Sequence, residues 1–400
     1  MANFSVHNTL YEENGGFCLT KEECGILLRK KKSSVVYCPG EGERAPGAMY
    51  PRCICLSHNG EKNGTLLATF ECYTYSTPTF PIYESVDDAS SWHRLSEIKD
   101  EEKGFGCRFQ PHLLELPVSC SGLKEGTILC AGNIIPEDFS SSSLHLYQST
   151  DCGRTWHFLS EIVSGGHAVV DPEEKDENRP VWEPFLTVTP DGRLICFYSD
   201  ERYLAGSGYN QLLAHKISAD GGLTWQREKI DVAFPGGRLR PGMPVVAALP
   251  EGKFIMVYEM VNQDKIPVYF RISDSIEDWG DPDFMGNPVC CADGSCLTGT
   301  PYVSWIPQGG PVGTILITGR GFSHIMANSQ MGNGFFEKNG YPGGYRQYLR
   351  LCRIQPVYTS AAWRKTNTES LPAPDIGTAG PDRSRSGRCI CKSIGGRQTS

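Results

Sequence analysis

Apolar runs of strand length recur along the chain, and a proline stands at the start of each pair of runs. Within a pair the two runs are separated by a turn glycine, as in PFLTVTPDGRLICFYSD and PVVAALPEGKFIMVYE. The prolines are spaced by 60, 73, 60 and 57 residues, at Pro51, Pro111, Pro184, Pro244 and Pro301. Each unit reads as strand, turn, strand, and such a repeat predicts a series of antiparallel β-meanders.

A turn motif with the pattern S-x-D-x-G-x-T-W follows some of these strand pairs. Two full copies occupy residues 149–156 and 218–225, and two degenerate copies occupy residues 85–92 and 273–279. In such a turn the aspartate accepts backbone N–H groups, the glycine takes a positive φ, and the tryptophan packs the turn onto the sheet. We therefore expect Asp151 and Asp220 to have structural roles and not catalytic ones.

The two repeats together predict an all-β fold, a six-bladed β-propeller with Asp-box hairpins and about four strands in each blade. Five blade openings are visible, and the strand-like run at residues 348–358 is expected to close a sixth blade with N-terminal residues. The propeller domain is predicted to span residues 1–361. Residues 362–400 lose the strand periodicity and are rich in Pro, Gly, Ser and Arg, so they are expected to form a disordered tail.

The composition allows one large domain and narrows the possible partners. The chain has 400 residues, 39% of them hydrophobic, which is enough for a large core. Its net charge of -8 and the lack of a basic stripe in the ordered body argue against a nucleic-acid partner. No 18-residue apolar stretch predicts a membrane span, and the N-terminus does not resemble a signal peptide, so the location of the protein stays open. We expect a monomer.

Seventeen cysteines are present, which is an odd number. Cys53, Cys55, Cys130 and Cys196 lie inside predicted strands, where a free cysteine behaves as a small buried hydrophobic residue. Reduced core thiols are therefore the favoured interpretation. The close cysteine pairs lack the paired CxxC or histidine spacing of a zinc site, so no structural metal and no cofactor are expected.

The repeated turn motif at blade spacing resembles the sialidase superfamily over about residues 45–358, which implies a six-bladed propeller. Within this region VWEPFL at residues 181–186, and RPGMPVV at residues 240–246 followed by VYE, resemble the fungal exo-arabinanase family of retaining glycoside hydrolases. That resemblance implies the release of arabinobiose from the ends of α-1,5-linked arabinan. It also implies a pair of catalytic glutamates, which correspond here to Glu183 and Glu259.

The predicted strands place these glutamates on one face of the propeller. The start of an innermost strand and the end of its antiparallel partner share a face. Glu183 precedes the proline that opens one innermost strand, and Glu259 ends the second strand of the next blade. Counting seven residues past each turn glycine gives a polar series of strand-end residues: Glu71, Asn133, Ser199, Glu259 and Arg320, with Asp200 one position after Ser199.

Two carboxyl groups suit glycoside hydrolysis, because one protonates the leaving oxygen while the other attacks or stabilises the anomeric carbon. Residue type alone does not decide which glutamate has which role. Burial beside Trp182 would raise the pKa of Glu183, which favours an acid/base role for Glu183.

A neutral sugar also needs aromatic faces and hydrogen-bond donors, drawn from strand starts and face loops. By position the predicted substrate-binding residues are Tyr50, Arg52, Gln110, His112, Trp182, Arg240, Tyr302, Arg320 and Tyr345.

Two other functions compete with the arabinanase hypothesis. Sialidases resemble one another in an early Phe/Tyr-Arg-Ile-Pro motif, but the matching place here reads YPRC, so the order is broken. Arg52, Arg240, Arg320 and Arg346 could still clamp a substrate carboxylate. The other alternative is a non-catalytic propeller that binds carbohydrate or protein, and two glutamates directed at the centre argue against it.

Overall fold

The computed structural model describes residues 34–40, 47–73, 77–168, 178–320, 322 and 324–339. These residues form five four-stranded antiparallel sheets, and in each sheet the strands are paired in chain order. The first strands of consecutive sheets contact one another, from β1 to β5, β9, β13 and β17. The arrangement is a β-propeller in which the first strand of each blade is the innermost.

Strand bounds follow the predicted repeat. Blades 1 and 2 contain β1 (Ala48–Cys55), β2 (Leu66–Cys72), β3 (Phe80–Ser85), β4 (His93–Ile98), β5 (Gly106–Glu115), β6 (Ile128–Ile135), β7 (Ser142–Ser149) and β8 (His157–Gly165). Blade 3 contains β9 (Val181–Val188), β10 (Leu194–Asp200), β11 (Leu212–Ser218) and β12 (Lys229–Val232), with the short helix α1 (Leu204–Ser207) between β10 and β11. Blades 4 and 5 contain β13 (Arg240–Ala248), β14 (Phe254–Val261), β15 (Val268–Ser273), β16 (Asn287–Pro288), β17 (Thr298–Ile306), β18 (Thr314–Arg320), β19 (Ile325–Asn328) and β20 (Glu337–Asn339).

The prediction of six blades is wrong, because the described residues form five blades. The sixth blade depended on residues 348–358, which lie outside the described residues, as do residues 1–33 and the predicted tail at 362–400. Of the N-terminal part, residues 34–40 contain no strand. Val36 and Tyr37 instead pack against Phe70 and Tyr83 of blade 1. A strand-like composition was therefore not enough to establish a further blade.

The prolines do not open the innermost strands, as the sequence suggested, but lie inside them. Pro184, for example, is the fourth residue of β9. In each blade, the pairing of the first strand with the second has a register shift at this proline. The five strand pairs are β1 with β2, β5 with β6, β9 with β10, β13 with β14, and β17 with β18. Proline has no N–H to give to the ladder, so a bulge is the place where a paired strand tolerates it.

The cores lie between neighbouring blades. The largest cluster joins blades 3, 4 and 5 and includes the fully buried Phe197, Met256 and Ile317. A second joins blades 2 and 3 through residues such as Leu146 and Leu194. Because a sheet between two neighbouring blades is covered on both faces, its strands read as continuous apolar runs and not as alternating ones. This explains the recurring apolar runs along the chain.

The Asp-box turns have the predicted structure. Oδ1 of Asp151 accepts the backbone N–H of Thr155 at 2.9 Å, and Oδ2 accepts its hydroxyl at 2.6 Å. Asp220 makes the same two bonds with Thr224, at 2.9 and 2.5 Å. Gly153 has a φ of 84°. These contacts lie within the turn itself, as expected for a structural aspartate.

The tryptophan of each of the two full Asp-boxes also joins its blade to the preceding blade. Trp156 Nε1 donates to Ser96 Oγ of blade 1 at 3.2 Å, and Trp225 Nε1 donates to Ser160 Oγ of blade 2 at 3.0 Å. The motif therefore fastens one blade to another as well as closing a turn.

The cysteines behave mostly as expected. Cys53, Cys130 and Cys196 are buried free thiols. Cys290 and Cys296, however, form a disulfide that closes a short loop before β17, a pairing on which the sequence made no prediction. None of the helices within the described ranges is long and apolar enough to cross a bilayer.

Candidate active site

The five strand bulges surround the centre of the propeller and share an uncommon backbone. The residue directly before each proline has a positive φ, although none of the five is glycine. The values are 50° for Tyr50, 20° for Gln110, 62° for Glu183, 55° for Met243 and 41° for Thr300. Non-glycine residues adopt this region at a cost and tend to do so at functional sites. The residue before the proline therefore has this uncommon backbone conformation in each of the five described blades.

At three of these bulges the backbone is held by polar strand-end residues that the sequence predicted as a series. The N–H of one bulge residue is accepted by the side chain that ends the second strand of the preceding blade. These bonds are Glu183 N to Asn133 Oδ1 at 3.3 Å, Met243 N to Ser199 Oγ at 3.3 Å and Thr300 N to Glu259 Oε2 at 2.5 Å. The strand ends therefore position the next blade's bulge.

Glu183 lies half-buried at the bulge of β9, and its carboxyl group is well supplied with donors. Oε2 accepts the Ser199 hydroxyl at 2.5 Å and the Met243 backbone N–H at 2.6 Å. Burial raises the pKa of Glu183 above its usual value, while the Ser199 bond and the nearby charge of Arg240 oppose the rise. Two donors on one oxygen stabilise the ionised form and fix the orientation of the side chain.

Glu259 is close to Glu183 but has fewer donors. A Cβ placed on Gly242 would lie 3.3 Å from Glu183 Oε2 and 3.8 Å from Glu259 Cγ, so both side chains border the same small space. Burial raises the pKa of Glu259 to about 7, and the charge of Glu183 adds to the rise. Two adjacent carboxyl groups that differ in their donors can hold one proton between them near neutral pH.

Trp182 and Arg240 are anchored by one buried carboxylate, Glu201. Trp182 Nε1 donates to Glu201 Oε1 at 2.8 Å, and Arg240 Nη2 lies 2.6 Å from the same oxygen. Arg179 approaches the other oxygen at 3.5 Å. Glu201 is 2% exposed, so it positions Trp182 and Arg240 without being accessible to a substrate itself. We did not predict this residue, although its place directly after an apolar strand was a usable signal.

Tyr50 and Arg52 lie on the innermost strand of blade 1, and Tyr302 lies on that of blade 5. The guanidinium of Arg52 stands 5.5 Å from the centre of the Tyr302 ring, which joins blade 1 to blade 5 across the ring of blades. Burial raises the pKa of Tyr50, and the charges of Glu71, Glu183 and Glu259 raise it further. Carboxyl groups from three blades therefore converge on one tyrosine.

Solved structures with this fold include fungal enzymes that cover most of the chain. An α-L-arabinanase of Penicillium chrysogenum, complexed with arabinobiose, is 35% identical with a TM-score of 0.69, over 77% of this chain and 87% of that enzyme. The GH93 α-L-arabinofuranosidase of Fusarium graminearum, also with arabinobiose, is 34% identical with a TM-score of 0.68, over 76% and 86% of the two chains. The chain belongs to the GH93 family.

This GH93 protein is therefore a glycosidase, and the predicted resemblance to the fungal exo-arabinanases is confirmed. A Fusarium graminearum enzyme bound to an iminosugar inhibitor gives the same picture, with 35% identity, a TM-score of 0.67 and coverage of 76% and 83%. No family model and no curated protein matches the chain.

His112 of the GH93 chain lies between two blades. Its Nδ1 accepts the backbone N–H of Leu186 at 3.1 Å, and its ring centre lies 4.3 Å from that of Phe185. Burial lowers the pKa of His112 to about 3, so the ring is neutral. These contacts join blade 2 to blade 3, and the predicted contact with substrate stays a prediction.

The other predicted binding residues differ in how they are placed. Gln110 is at a bulge but is buried. Arg320 is half-buried, and its Nε would lie 3.2 Å from a Cβ placed on Gly299, next to the Thr300 bulge. Tyr345 lies outside the described residues.

Glu71 and Asp200, two further acidic residues of the strand-end series, have different surroundings. Asp200 is buried and binds Arg202 Nη2 at 2.7 Å, so its charge is matched within blade 3. Burial raises the pKa of Glu71 to about 7, and hydrogen bonds from the Phe109 backbone and Tyr73 oppose the rise. Glu71 thus resembles Glu259 in two respects: its carboxylate accepts a backbone N–H of the next blade, and burial raises its pKa.

Proposed function

We propose that this GH93 glycosidase releases arabinobiose from the ends of α-1,5-linked arabinan, with Glu183 and Glu259 as the catalytic pair of a retaining mechanism. The observation that carries the proposal is the meeting of these two carboxyl side chains over Gly242 at the centre of the propeller. The GH93 relatives with arabinobiose support the choice of sugar.

The mechanism requires one protonated and one ionised carboxyl group. The acid gives its proton to the glycosidic oxygen while the carboxylate forms a bond to the anomeric carbon, which displaces the rest of the chain. The first glutamate, now ionised, then takes a proton from water, and that water releases the disaccharide with its configuration retained. The retaining geometry needs carboxyl groups roughly 5–5.5 Å apart.

The sequence and the structure favour different roles for Glu183. Its neighbour Trp182 suggested an acid/base role, whereas the Ser199 and Met243 donors favour an ionised carboxylate, which suits a nucleophile. Azide separates the two roles. With an activated arabinoside, an alanine variant of the acid/base residue should form a glycosyl azide of retained configuration, and one of the nucleophile should form the inverted azide.

Around this pair, Tyr50, Arg52, Arg240, Tyr302 and Arg320 are all half-buried, so each has surface to offer a sugar. We propose that the arginines donate to sugar hydroxyls and that the tyrosine rings stack on the sugar. We also propose that the enzyme is a monomer. Size-exclusion chromatography with light scattering tests that point.

The function is tested by product analysis on linear arabinan, debranched arabinan and a sialoside, with the wild type and Glu183→Gln. We expect the wild type to release arabinobiose from both arabinans and to leave the sialoside intact, and the variant to be inactive on all three. Released sialic acid would favour the sialidase alternative. Lack of any product with the wild type would favour the binding-propeller alternative.

A further inference from the structure

Blade 4 departs from blades 1 and 2 on the face opposite the catalytic pair. In blades 1 and 2 the fourth strand begins directly after the Asp-box tryptophan, at His93 and His157. In blade 4, residues 280–286 intervene between Trp279 and the short strand β16. This added loop forms one wall of a cleft of about 870 Å³. The turn at residues 331–333 of blade 5 lines the cleft as well.

The added loop is fixed in place by one buried arginine. Arg271 Nη1 donates to the carbonyl oxygens of Trp279 at 3.2 Å and Asp281 at 2.9 Å, and Nη2 donates to those of Pro282 at 3.0 Å and Phe284. Each of these carbonyls is directed at the same guanidinium, so the loop has little freedom to collapse into the cleft. The cleft is therefore formed before any ligand binds, which lowers the entropic cost of binding.

The lining of the cleft combines one exposed aromatic ring with polar groups. Phe284 is 53% exposed, and the Arg271 guanidinium lies 5.5 Å from its ring centre. Asp281, Asp283, Asn287 and Asn333 are exposed along the same cleft. An aromatic ring beside carboxylate and amide groups is the combination that binds a sugar, because the ring covers C–H groups while the polar atoms bond the hydroxyls.

The charges in the cleft favour a neutral ligand. The ammonium group of Lys253 is paired with Asp274 at 2.5 Å, and the guanidinium of Arg271 is occupied by backbone carbonyls. Asp281 and Asp283 form no ion pair with any residue that the structure describes. An anionic polysaccharide would therefore meet uncompensated negative charge, whereas neutral sugar hydroxyls could donate to both carboxylates.

The end of the cleft at Lys253 is far from the catalytic pair, whereas the buried lining residue Phe270 pairs with Val257, two residues from Glu259. Lys253 stands just before β14, and Glu259 is near the other end of that strand. Six residues of extended chain span roughly 20 Å. A chain end bound at the centre and a ligand bound in the cleft therefore occupy separate places.

We propose that this cleft is a second, non-catalytic binding site for an internal segment of neutral arabinan. The identity of the polymer follows from the proposed function, while the class of ligand, a neutral polysaccharide, follows from the cleft itself. A volume of about 870 Å³ has room for several sugar units. Binding there would hold the enzyme on the polymer while chain ends are cleaved at the centre.

The test is affinity electrophoresis in native gels that contain debranched arabinan, with Glu259→Gln as the background so that the polymer is not degraded. Phe284→Ala is compared with Leu223→Ala, which removes another exposed side chain, 59% exposed, in the Asp-box turn of blade 3. We expect Phe284→Ala to weaken retention about 3- to 10-fold and Leu223→Ala to leave it unchanged. Asp283→Ala provides a second variant of the cleft, and thermal melting checks that each variant is folded.

Kinetics of the otherwise wild-type enzyme complete the test. Phe284→Ala should raise the apparent KM for polymeric arabinan and leave the kinetics on arabinotriose unchanged. Equal retention of Phe284→Ala and Leu223→Ala in arabinan gels would overturn the proposal. It would also be overturned if the protein with the wild-type cleft were retained as strongly in gels that contain polygalacturonate as in gels that contain arabinan. If the wild type cleaves neither arabinan nor arabinotriose while Phe284→Ala still loses retention, the proposed function fails and the second site stands.

Discussion

The Asp-box turns and the proline bulges are the two repeats of the sequence, and they lie in different regions of the propeller. We call these regions the Asp-box face and the central face. On the Asp-box face, Asp151 and Asp220 repeat the same residue with the same bonds. On the central face, the five bulges repeat the same backbone with different residues, among them Glu183, Met243 and Thr300. At the Asp-box positions the same side chain recurs because it stabilises the turn. At the bulge positions only the backbone conformation recurs, so the side chains can differ and take part in binding or catalysis.

The largest expected effect concerns the proposed catalytic pair, Glu183 and Glu259. Glu183→Gln and Glu259→Gln should each lower kcat by about 10³-fold or more, because each variant loses a proton transfer or a nucleophile while its shape is kept. Activity on arabinan and the melting temperature are measured together. Glu251→Gln changes an exposed glutamate in the turn between β13 and β14, and this control should keep full activity. A kcat within 10-fold of wild type for either glutamine variant would remove that residue from the pair.

The Asp-box face should show the reverse behaviour. Asp151→Ala loses the bonds to Thr155 and should lower the free energy of unfolding by about 1–3 kcal/mol, while kcat per folded molecule stays near that of wild type. Asp220→Ala should shift stability in the same direction. Denaturant unfolding and active-site titration give the two quantities, with Glu102→Ala as an exposed control. If either aspartate variant kept its stability and lost kcat, the separation of the two faces would fail.

A smaller effect is expected on the pH dependence of the free energy of unfolding. It tests whether a buried carboxyl group of the central face lowers the stability of the protein. Burial raises the pKa of Glu71 to about 7. The folded state therefore holds a proton that the unfolded state has lost between pH ~4.5 and pH ~7, so stability falls as pH rises through that window. Glu71→Gln removes the titration and should reduce this fall by about 1–3 kcal/mol.

Unfolding curves at pH 5 and pH 8 measure the effect. The same fall in wild type and Glu71→Gln would show that Glu71 does not titrate in this window. Glu251→Gln again serves as the control.

Much of this structure could be predicted from the sequence, because local patterns carry it. Apolar runs and turn glycines located the strands, and the Asp-box spacing gave the propeller. The number of blades could not be read in the same way, since residues 348–358 looked like a strand but no pattern states how many sheets close a ring. The position of the prolines was also missed. A bulge is a property of two paired strands, and one strand alone does not show it.

The site was predictable in part for the same reason. Glu183 and Glu259 stand out by motif, but Glu201 supports Trp182 and Arg240 through contacts between residues far apart in the chain. His112 was a plausible binding residue by position, and only its bond to Leu186 shows that it also joins two blades. The Cys290–Cys296 disulfide closes a loop of its own, and spacing alone gave no reason to choose it.

The residues that precede the five prolines have a consequence for how enzymes of this shape diversify. Glu183, Met243 and Thr300 are oriented by a main chain that the neighbouring blade already holds, so we expect that exchanging a side chain at such a position requires no rearrangement of the scaffold. A combinatorial library restricted to Tyr50, Gln110, Met243 and Thr300, with Glu183 retained, would sample new specificities on an unchanged frame. In evolution, an ancestral propeller of this kind could change its sugar specificity through a few mutations at these positions.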